Sequence, residues 1–332
     1  MMNKTIKKIN IGVVGVGHLG EHHVKHLQSI EPFNIIGFHD TNGKKAESIS
    51  AKYRLNHYKN FNKLLEECDA VSIVTPTETH FDIGYKCIQS KKHVFIEKPI
   101  TKSVEDAEKL IQLAKDMSVI IQVGHIERFN PALIPLNDYT LNPKYIEIQR
   151  LAPYNIRGTD VPVVLDKMIH DLDILLFLVN SDIDSIYANG ISILTDSIDI
   201  ANSRIRFTNG TIANVTSSRV SQNDVRKIKI FQQDLYITID LLIGLTEVYR
   251  IIDENEKNIN AIKDVDFSYH GKKKHIIYEK PELLSFDALK SELENFADSI
   301  NGFSKPVVDG KAAKRALELA INIDSMIRED LH

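Results

Sequence analysis

A cluster of glycines near the start of the chain has the spacing of a dinucleotide-binding turn. Gly15, Gly17 and Gly20 fit G-x-G-x-x-G, directly after an apolar run and before a helical pattern. In that context the first glycine permits a tight turn, the second lets backbone N–H groups approach a pyrophosphate, and the third allows close helix packing. The N-terminus of the helix also favours phosphate charge. We therefore expect His18 and Leu19, within the same motif, to lie at the cofactor.

Asp40 bears on the choice of dinucleotide. It ends the second apolar run, twenty residues after Gly20. A carboxylate at this point accepts hydrogen bonds from the adenosine ribose and repels a 2′-phosphate, which predicts NAD rather than NADP. Lys44 and Lys45 follow shortly, and because their positive charges would attract a 2′-phosphate, NADP stays an alternative cofactor. A glycine turn in a domain that binds no dinucleotide is the remaining alternative.

Further polar residues stand where other apolar runs end. Thr75 and Pro76 follow one run with His80 shortly after, and Glu97 and Lys98 follow another. Ligands of an open parallel sheet bind beyond the carboxyl ends of its strands, so we expect these residues to converge on one crevice. Any one of these residues alone is accounted for by a turn after the strand, where proline and polar residues are common. A single lysine is most often a surface residue.

The segment 164–179 is a helical pattern that is apolar nearly all round, which predicts a buried helix. Asp166, His170 and Asp173 are spaced to share one of its faces. Polar groups on a buried helix cost free energy unless partners satisfy them. One interpretation is an internal Asp–His pair that tethers the helix. The other is that the face meets the cofactor crevice, where a histidine can exchange protons near neutral pH.

The elements that must position these residues alternate between strand and helix in the first part of the chain. A helix is predicted over 103–117, where Ser103 and Asp106 resemble a capping box. Continuous apolar runs, typical of strands covered on both faces, occur at 9–16, 33–39, 70–75, 93–97 and 119–124. This alternation predicts an α/β fold with a parallel, doubly wound Rossmann sheet.

From about residue 144 apolar and polar residues alternate, as in strands buried on one face. Such runs occupy 145–149, 203–207, 226–231 and 235–241, and helical patterns follow near 285–301 and 309–329. They predict an α+β domain with a large open, mostly antiparallel sheet. We expect a dinucleotide-binding domain over 1–124, and a substrate-binding and oligomerisation domain over 125–332.

Composition excludes several classes of protein. The 332 residues carry 41 basic and 45 acidic side chains, a net charge of −4 that argues against general nucleic-acid binding. The longest apolar run, 174–179, is six residues, against the ~20 needed to span a membrane. Two cysteines and no visible signal peptide favour the cytoplasm. No metal site is predicted, because the histidines at 18, 22 and 26 are interpreted as one face of a helix, with His18 near the phosphates.

Together the motifs resemble the Gfo/Idh/MocA family of dinucleotide-dependent oxidoreductases over nearly the whole chain. The matching segments are GVGHLG (15–20), Asp40, TPTETH (75–80), EKP (97–99), GHIERFNP (124–131) and D-x-x-x-H-x-x-D (166–173). The resemblance implies that Lys98 is the catalytic lysine, that His170 matches a catalytic histidine, and that Asp166 matches a substrate-binding carboxylate. It also implies a homodimer or homotetramer formed through the C-terminal sheet.

The segment 124–180 is most similar to the branch of this family that oxidises UDP-N-acetylglucosamine. That branch converts the sugar 3-hydroxyl to a ketone, which an aminotransferase then uses to make a diamino sugar for lipid A. In this interpretation His170 is the general base, Lys98 stabilises the developing alkoxide, and Asp166 orients the imidazole or a substrate hydroxyl. A diphosphate also needs cationic donors, for which the candidates are Arg128, Arg150 and Arg157.

Two other functions stay open on the sequence. One is a dehydrogenase of another nucleotide sugar or of a cyclitol. The other is a regulator that senses NAD(P) without catalysis, as some members of this fold family do. The complete set of Lys98, Asp166 and His170 favours an enzyme over the regulator.

Overall fold

A computed structural model describes residues 6–155, 161–253, 263–269, 272–282 and 287–331. These residues form two compact units. The first contains the described residues up to Phe129 together with Asp287–Leu317, and the second contains those from Asn130 to 282 together with 318–331. The chain thus enters the second unit after Phe129 and returns to the first at Asp287, whereas the sequence predicted one crossing only.

The strands and helices are numbered in chain order. The strands are β1 (Ile9–Val14), β2 (Phe33–His39), β3 (Ala70–Ile73), β4 (His93–Glu97), β5 (Ile121–Gly124), β6 (Tyr145–Leu151), β7 (Ile183–Ile191), β8 (Ile200–Phe207), β9 (Ile212–Ser218), β10 (Val225–Gln232), β11 (Leu235–Asp240), β12 (Leu245–Asp253), β13 (Lys263–Tyr269) and β14 (Lys272–Glu279). The α-helices are α1 (His18–Leu27), α2 (Gly43–Tyr53), α3 (Phe61–Glu67), α4 (His80–Gln89), α5 (Val104–Met117), α6 (Ile169–Val179), α7 (Ala288–Ile300) and α8 (Gly310–Asp330).

The first unit contains a five-stranded parallel sheet in the order β2-β1-β3-β4-β5. Its strands coincide with the five predicted apolar runs, and α5 begins where Ser103 caps the Asp106 N–H. Ile11 and Val13 of β1 join the core that includes α1 and α7. Gly12, between them, faces α3, where an added Cβ would lie 2.8 Å from Leu64. Helices therefore cover both faces, which confirms the doubly wound α/β prediction.

Helix α7 explains why the segment from Asp287 belongs to the first unit. Its buried side chains include Leu293 and Phe296. The Phe296 ring lies 6.2 Å from the ring of Phe33 and 5.9 Å from that of Phe95. The apolar face of this helix thus completes the core beside the parallel sheet, although it lies far along the chain from that sheet.

The second unit contains a nine-stranded sheet in the order β13-β14-β12-β11-β10-β6-β9-β8-β7. Neighbouring strands are antiparallel except β6 and β9, which are parallel. One face is apolar and buried, as Ile146 and Ile148 of β6 and Ile228 and Ile230 of β10 illustrate. The predicted large, mostly antiparallel sheet is confirmed.

A row of aromatic rings crosses the opposite face of this sheet. Its five members lie on five neighbouring strands and stand directly opposite one another in register, with ring centroids 4.6 to 5.8 Å apart. We call it the aromatic row: Tyr145, Phe231, Tyr236, Tyr249 and Tyr278. These side chains are half-buried or exposed.

The predicted buried helix over 164–179 has two parts. Val164–Met168 forms a π-helical turn, and α6 continues from Ile169. Helix α6 contacts β9 and is buried along most of its length. Over the described ranges, no helix combines the length and apolar character needed to cross a membrane.

Candidate active site

A cavity of about 460 Å³ opens in the first unit at the carboxyl ends of β1, β2 and β3. The strand order reverses between β1 and β3, and this is the point where ligands bind in open α/β sheets. The predicted cofactor residues that line it are Gly15, Gly17, Asp40, Thr75 and Pro76. His18 and Leu19 stand beside it in the first turn of α1, with exposed side chains.

The glycines give this cavity the shape of a pyrophosphate cradle. Gly15 has a φ of +85°, and a side chain there would collide with the carbonyl of Val74. A Cβ on Gly20 would collide with the carbonyl of Gly15, so the helix can approach the turn only without one. A Cβ on Gly17 would meet nothing within 4 Å and would project into open space. That space, beside the N-terminus of α1, fits a dinucleotide phosphate.

Asp40 is held in place by the backbone around it. Its Oδ2 accepts a hydrogen bond of 2.8 Å from the Val16 N–H, and its Oδ1 accepts one of 2.7 Å from the Asn42 N–H. A carboxylate oxygen can accept more than one hydrogen bond, so both oxygens retain capacity for ribose hydroxyls. The structure therefore fits the role predicted for Asp40.

His80 supports the cavity from beneath. The side chain is buried, with Nε2 2.9 Å from the Thr75 carbonyl and Nδ1 2.8 Å from the Pro99 carbonyl. These contacts link the loop that follows β3 to the loop that follows β4, and the tautomer decides which ring nitrogen donates. Because both ring nitrogens are engaged in this way, His80 acts on the cofactor site by positioning two loops.

Lys98 follows directly at the carboxyl end of β4 and is half-buried. Its backbone N–H lies 3.2 Å from Oε2 of Glu97, and its peptide bond to Pro99 is cis. Glu97 is 9% exposed as a residue and is not among the residues that line the cavity. Glu97 therefore fixes the end of the strand that carries Lys98.

Asp166 and His170 lie on the second unit, in the helical segment that the sequence singled out. Asp166 is in the π-helical turn and is half-buried, with Oδ2 3.6 Å from Nζ of Lys167. His170 is the second residue of α6 and is also half-buried. Single π-helical turns inside helices occur frequently at functional sites. Asp173, which the sequence placed on the same face, is buried and only 2% exposed.

A buried ion pair anchors the chain that leads into this turn. The Asp199 carboxylate accepts a hydrogen bond from Arg219 Nε at 3.0 Å, and Arg219 also donates to the Val161 carbonyl. Burial alone raises the pKa of Asp199, but bonds from Thr195 and from the backbone N–H groups of 193–195 lower it overall, well below its usual range. The carboxylate therefore stays charged and holds the segment before Asp166. No motif or periodicity in the sequence predicted this long-range pair.

The three arginines predicted to bind a diphosphate differ in their surroundings. Arg150 is 5% exposed and forms a bidentate pair with Asp171, with Nε 2.8 Å from Oδ2 and Nη2 2.9 Å from Oδ1. Its guanidinium is thus used inside the second unit, which argues against a role in binding diphosphate. Arg128 is half-buried in the 3₁₀ turn Ile126–Phe129. Arg157 lies outside the described residues.

Several residues of the cavity were not predicted from the sequence. These residues include His39, Asn42, Thr79 and Ile83, and the wall also includes Lys45, which the sequence had placed near the cofactor. His39 and Asn42 stand beside Asp40, so proximity in the chain was the available signal. Among the residues described, no group of three or more His, Cys, Asp and Glu side chains is arranged to hold a metal ion.

Two family models match the chain. The model described as "Oxidoreductase family, NAD-binding Rossmann fold" matches residues 9–125. The model described as "GFO/IDH/MocA C-terminal domain" matches residues 152–237. The first match covers the cavity and its glycine turn, and the second covers the helical segment with Asp166 and His170.

Individual relatives match along almost the whole chain. A UDP-N-acetylglucosamine 3-dehydrogenase from Acidithiobacillus ferrooxidans is 35% identical over 313 residues, which are 94% of this chain and 95% of the relative. A solved structure of that enzyme superposes with a TM-score of 0.87 at 33% identity, over 98% of this chain and 99% of the other. A myo-inositol 2-dehydrogenase from Thermotoga maritima is 24% identical and covers 97% of each chain. The chain therefore belongs to the Gfo/Idh/MocA family of oxidoreductases, with a Rossmann domain that binds NAD.

Proposed function

We propose that this protein oxidises the 3-hydroxyl of UDP-N-acetylglucosamine to a ketone and reduces NAD to NADH. The observation that carries the proposal is the full-length similarity to an enzyme of that name, at 35% identity over 94% of the chain. The TM-score of 0.87 to the same enzyme supports it. The reaction removes one hydride from C3 of the sugar and one proton from the oxygen on C3.

In the proposed mechanism His170 takes the hydroxyl proton, because a histidine is well matched to proton transfer near neutral pH. The Lys98 ammonium stabilises the negative charge that develops on the oxygen. Asp166 orients the imidazole or a neighbouring sugar hydroxyl. NAD, when bound, accepts the hydride. Gly15, Gly17, Gly20 and Asp40 hold the cofactor, with His80 and Glu97 supporting the loops.

The UDP part of the substrate needs positive donors at its diphosphate. We assign this role to Arg128 and Arg157, since guanidinium groups bind phosphate oxygens in pairs. Arg150 is left out because Asp171 already uses its guanidinium. Binding energy from the diphosphate, remote from the reacting carbon, positions the sugar for oxidation.

The proposed product is a 3-keto sugar nucleotide, and an aminotransferase would consume it to make a diamino sugar for lipid A in the cytoplasm. One observation supports a reducing compartment, which is that the two cysteines do not form a disulfide. Cys68 and Cys87 are both free and buried. Burial raises the pKa of the Cys68 thiol to about 11, so it stays a protonated, unreactive thiol at neutral pH.

We also propose a homodimer or homotetramer formed through the open face of the nine-stranded sheet. The aromatic row lies on that face, and aromatic residues are enriched at protein interfaces. Glu147 and Lys229, on the same face, form an ion pair of 3.2 Å beside it. An apolar row flanked by paired charges suits a contact between identical sheets.

A cyclitol dehydrogenase is the second candidate, because inositol 2-dehydrogenases match the chain at 24–25% identity over nearly its full length. A regulator without turnover is the third. The three functions differ in one measurable property, which is the substrate that drives NADH formation.

The test is an assay of NADH formation with UDP-N-acetylglucosamine, free N-acetylglucosamine and myo-inositol. A trapping aminotransferase and an amino donor are included, because they draw an unfavourable oxidation forward. We expect turnover with the UDP-sugar and much weaker turnover with the free sugar and inositol. Equal activity on free and UDP-linked sugars would refute the diphosphate anchor. NAD binding without turnover on any sugar would favour the regulator.

A further inference from the structure

A cluster of charges on α1 and α2 lies at one side of the cofactor cavity. Lys45 lines the cavity together with Asp40. Its Nζ lies 3.0 Å from Oε2 of Glu21, on the first turn of α1. The other oxygen of Glu21 pairs with Lys52 Nζ at 2.8 Å, with the Tyr53 hydroxyl 3.3 Å away. Glu21 is therefore the hub of a small network that ties the two helices together.

The ion pair is present throughout the working pH range. Hydrogen bonds from Lys52 and Lys45 lower the pKa of Glu21 from 4.5 to about 2. The carboxylate therefore remains charged at neutral pH, where cofactor binding is measured. Lys45 is also fixed at its backbone, because its N–H donates to the Asn42 side chain that caps α2.

This arrangement matters because Lys45 is a cation beside the expected position of the adenosine ribose. A 2′-phosphate brings about two negative charges at neutral pH, and a free lysine at this position would attract it. NAD has no such phosphate, and the pyrophosphate that it does carry is common to both cofactors. A partner that neutralises Lys45 therefore lowers the affinity for NADP more than the affinity for NAD.

We propose that Glu21 is a second determinant of cofactor choice, acting by holding the Lys45 ammonium away from a 2′-phosphate while Asp40 repels that phosphate directly. Asp40 makes the site unfavourable for the extra charge, and Glu21 removes the cation that would compensate. Cofactor choice on this account depends on residues of two helices as well as on the loop after β2. The inference goes beyond the proposed sugar oxidation and does not depend on the identity of the sugar.

The test measures the dissociation constants of NADH and NADPH by fluorescence titration without any sugar. We compare the wild-type protein with Glu21→Gln, Lys45→Gln and the double variant. Glu21→Gln should lower the dissociation constant of NADPH by roughly fivefold, as expected for one released surface cation. The dissociation constant of NADH should change by less than about twofold. The double variant should bind NADPH no more tightly than wild type, because it no longer has the Lys45 ammonium that Glu21→Gln releases.

Two further comparisons keep the test decisive. Lys44→Gln, on an exposed neighbour, makes the same charge change as Lys45→Gln and should not cancel the gain when combined with Glu21→Gln. Lys45→Gln alone should leave NADPH binding within about twofold of wild type, because Glu21 already neutralises the lysine. An unchanged NADPH to NADH ratio in folded Glu21→Gln would overturn the proposal. A gain that persists in Glu21→Gln/Lys45→Gln would overturn it as well.

Discussion

Nε2 of His23 lies 3.1 Å from Oε1 of Glu97, and both side chains are buried beneath the loop that carries Lys98. The other ring nitrogen of His23 is 2.9 Å from the Ser72 hydroxyl on β3. A Cβ on Gly124, the last residue of β5, would crowd the Glu97 carboxylate at 2.7 Å. Three elements, α1, β4 and β5, therefore meet at this carboxylate, β3 joins them through His23, and the carboxylate in turn holds the Lys98 N–H.

Breaking this pair should destabilise the protein. His23→Leu leaves the Glu97 carboxylate buried without its partner, and we expect the free energy of unfolding to fall by about 3 kcal/mol. His23→Gln keeps a hydrogen-bonding side chain and should lose less, about 1 kcal/mol. Urea unfolding of the three proteins measures both differences. If His23→Leu is as stable as wild type, the pair contributes nothing to the fold.

Lys98→Ala and His170→Ala should each lower kcat by roughly 100-fold or more, the range in which electrostatic and acid–base groups contribute. NADH affinity should stay nearly unchanged in both, because neither side chain is assigned to holding the cofactor. Steady-state kinetics and NADH titration give the two readings. Turnover close to wild type in either folded variant would remove the role given to that residue.

Acid should weaken the network around Glu21 in a defined window. The folded-state pKa of Glu21 is lowered from 4.5 to about 2. Its contribution to the free energy of unfolding is therefore fully present above pH 4.5 and is lost as the pH falls toward 2. Glu21→Gln should therefore cost about 1 kcal/mol of unfolding free energy at pH 7, and the difference from wild type should shrink below pH 4.5. Urea unfolding at pH 7, 4.5 and 3 tests this. A constant difference at all three values would contradict the assignment.

Disrupting the aromatic row should weaken self-association. Tyr236 stacks on Phe231 at 4.6 Å and faces Tyr249 at 5.6 Å, so Tyr236→Asp puts a charge in the middle of the row. We expect the dissociation constant between subunits to rise by roughly tenfold or more, as for a central interface residue. Tyr85→Asp, which alters an exposed tyrosine on α4, is the matched control. Sedimentation that is identical for all three proteins would place the interface elsewhere.

The parts of the fold that depend on local pattern were predictable from the sequence. The glycine turn, Asp40 and the five parallel strands follow from spacing and periodicity, and the structure has them where expected. Helix α7 was predicted as a helix, but periodicity does not say which core a helix joins. Its membership in the first unit depends on contacts of Phe296 with residues more than two hundred positions away.

Charge pairing was the least predictable property. Arg150 and Asp171 stand 21 residues apart, and nothing in either segment indicates that they meet. Glu21 and Lys45 likewise belong to different helices. The π-helical turn at Asp166 also left no mark on the apolar periodicity of 164–179. These features depend on tertiary packing, which a pattern of residue types along one segment does not encode.

The arginines provide the most direct test of the substrate class. If Arg128 and Arg157 bind the diphosphate, replacing either with Gln removes paired donors to phosphate oxygens. The Michaelis constant for UDP-N-acetylglucosamine should then rise by roughly tenfold or more, since a hydrogen bond to a charged group is worth about 1.5–3 kcal/mol. NADH affinity should not change, because the cofactor has its own site.

Arg150→Gln provides the contrast. It removes a buried bidentate partner of Asp171, so we expect the free energy of unfolding to fall by about 3 kcal/mol. If the variant is folded at low temperature, its Michaelis constant for the UDP-sugar should stay within about threefold of wild type, because no diphosphate contact is lost. The opposite pattern would be a raised Michaelis constant in Arg150→Gln and an unchanged one in the Arg128 and Arg157 variants. That result would refute both the diphosphate assignment and the purely structural role of Arg150. Binding of UDP alone, measured by calorimetry on the same variants, separates diphosphate recognition from any effect on the sugar.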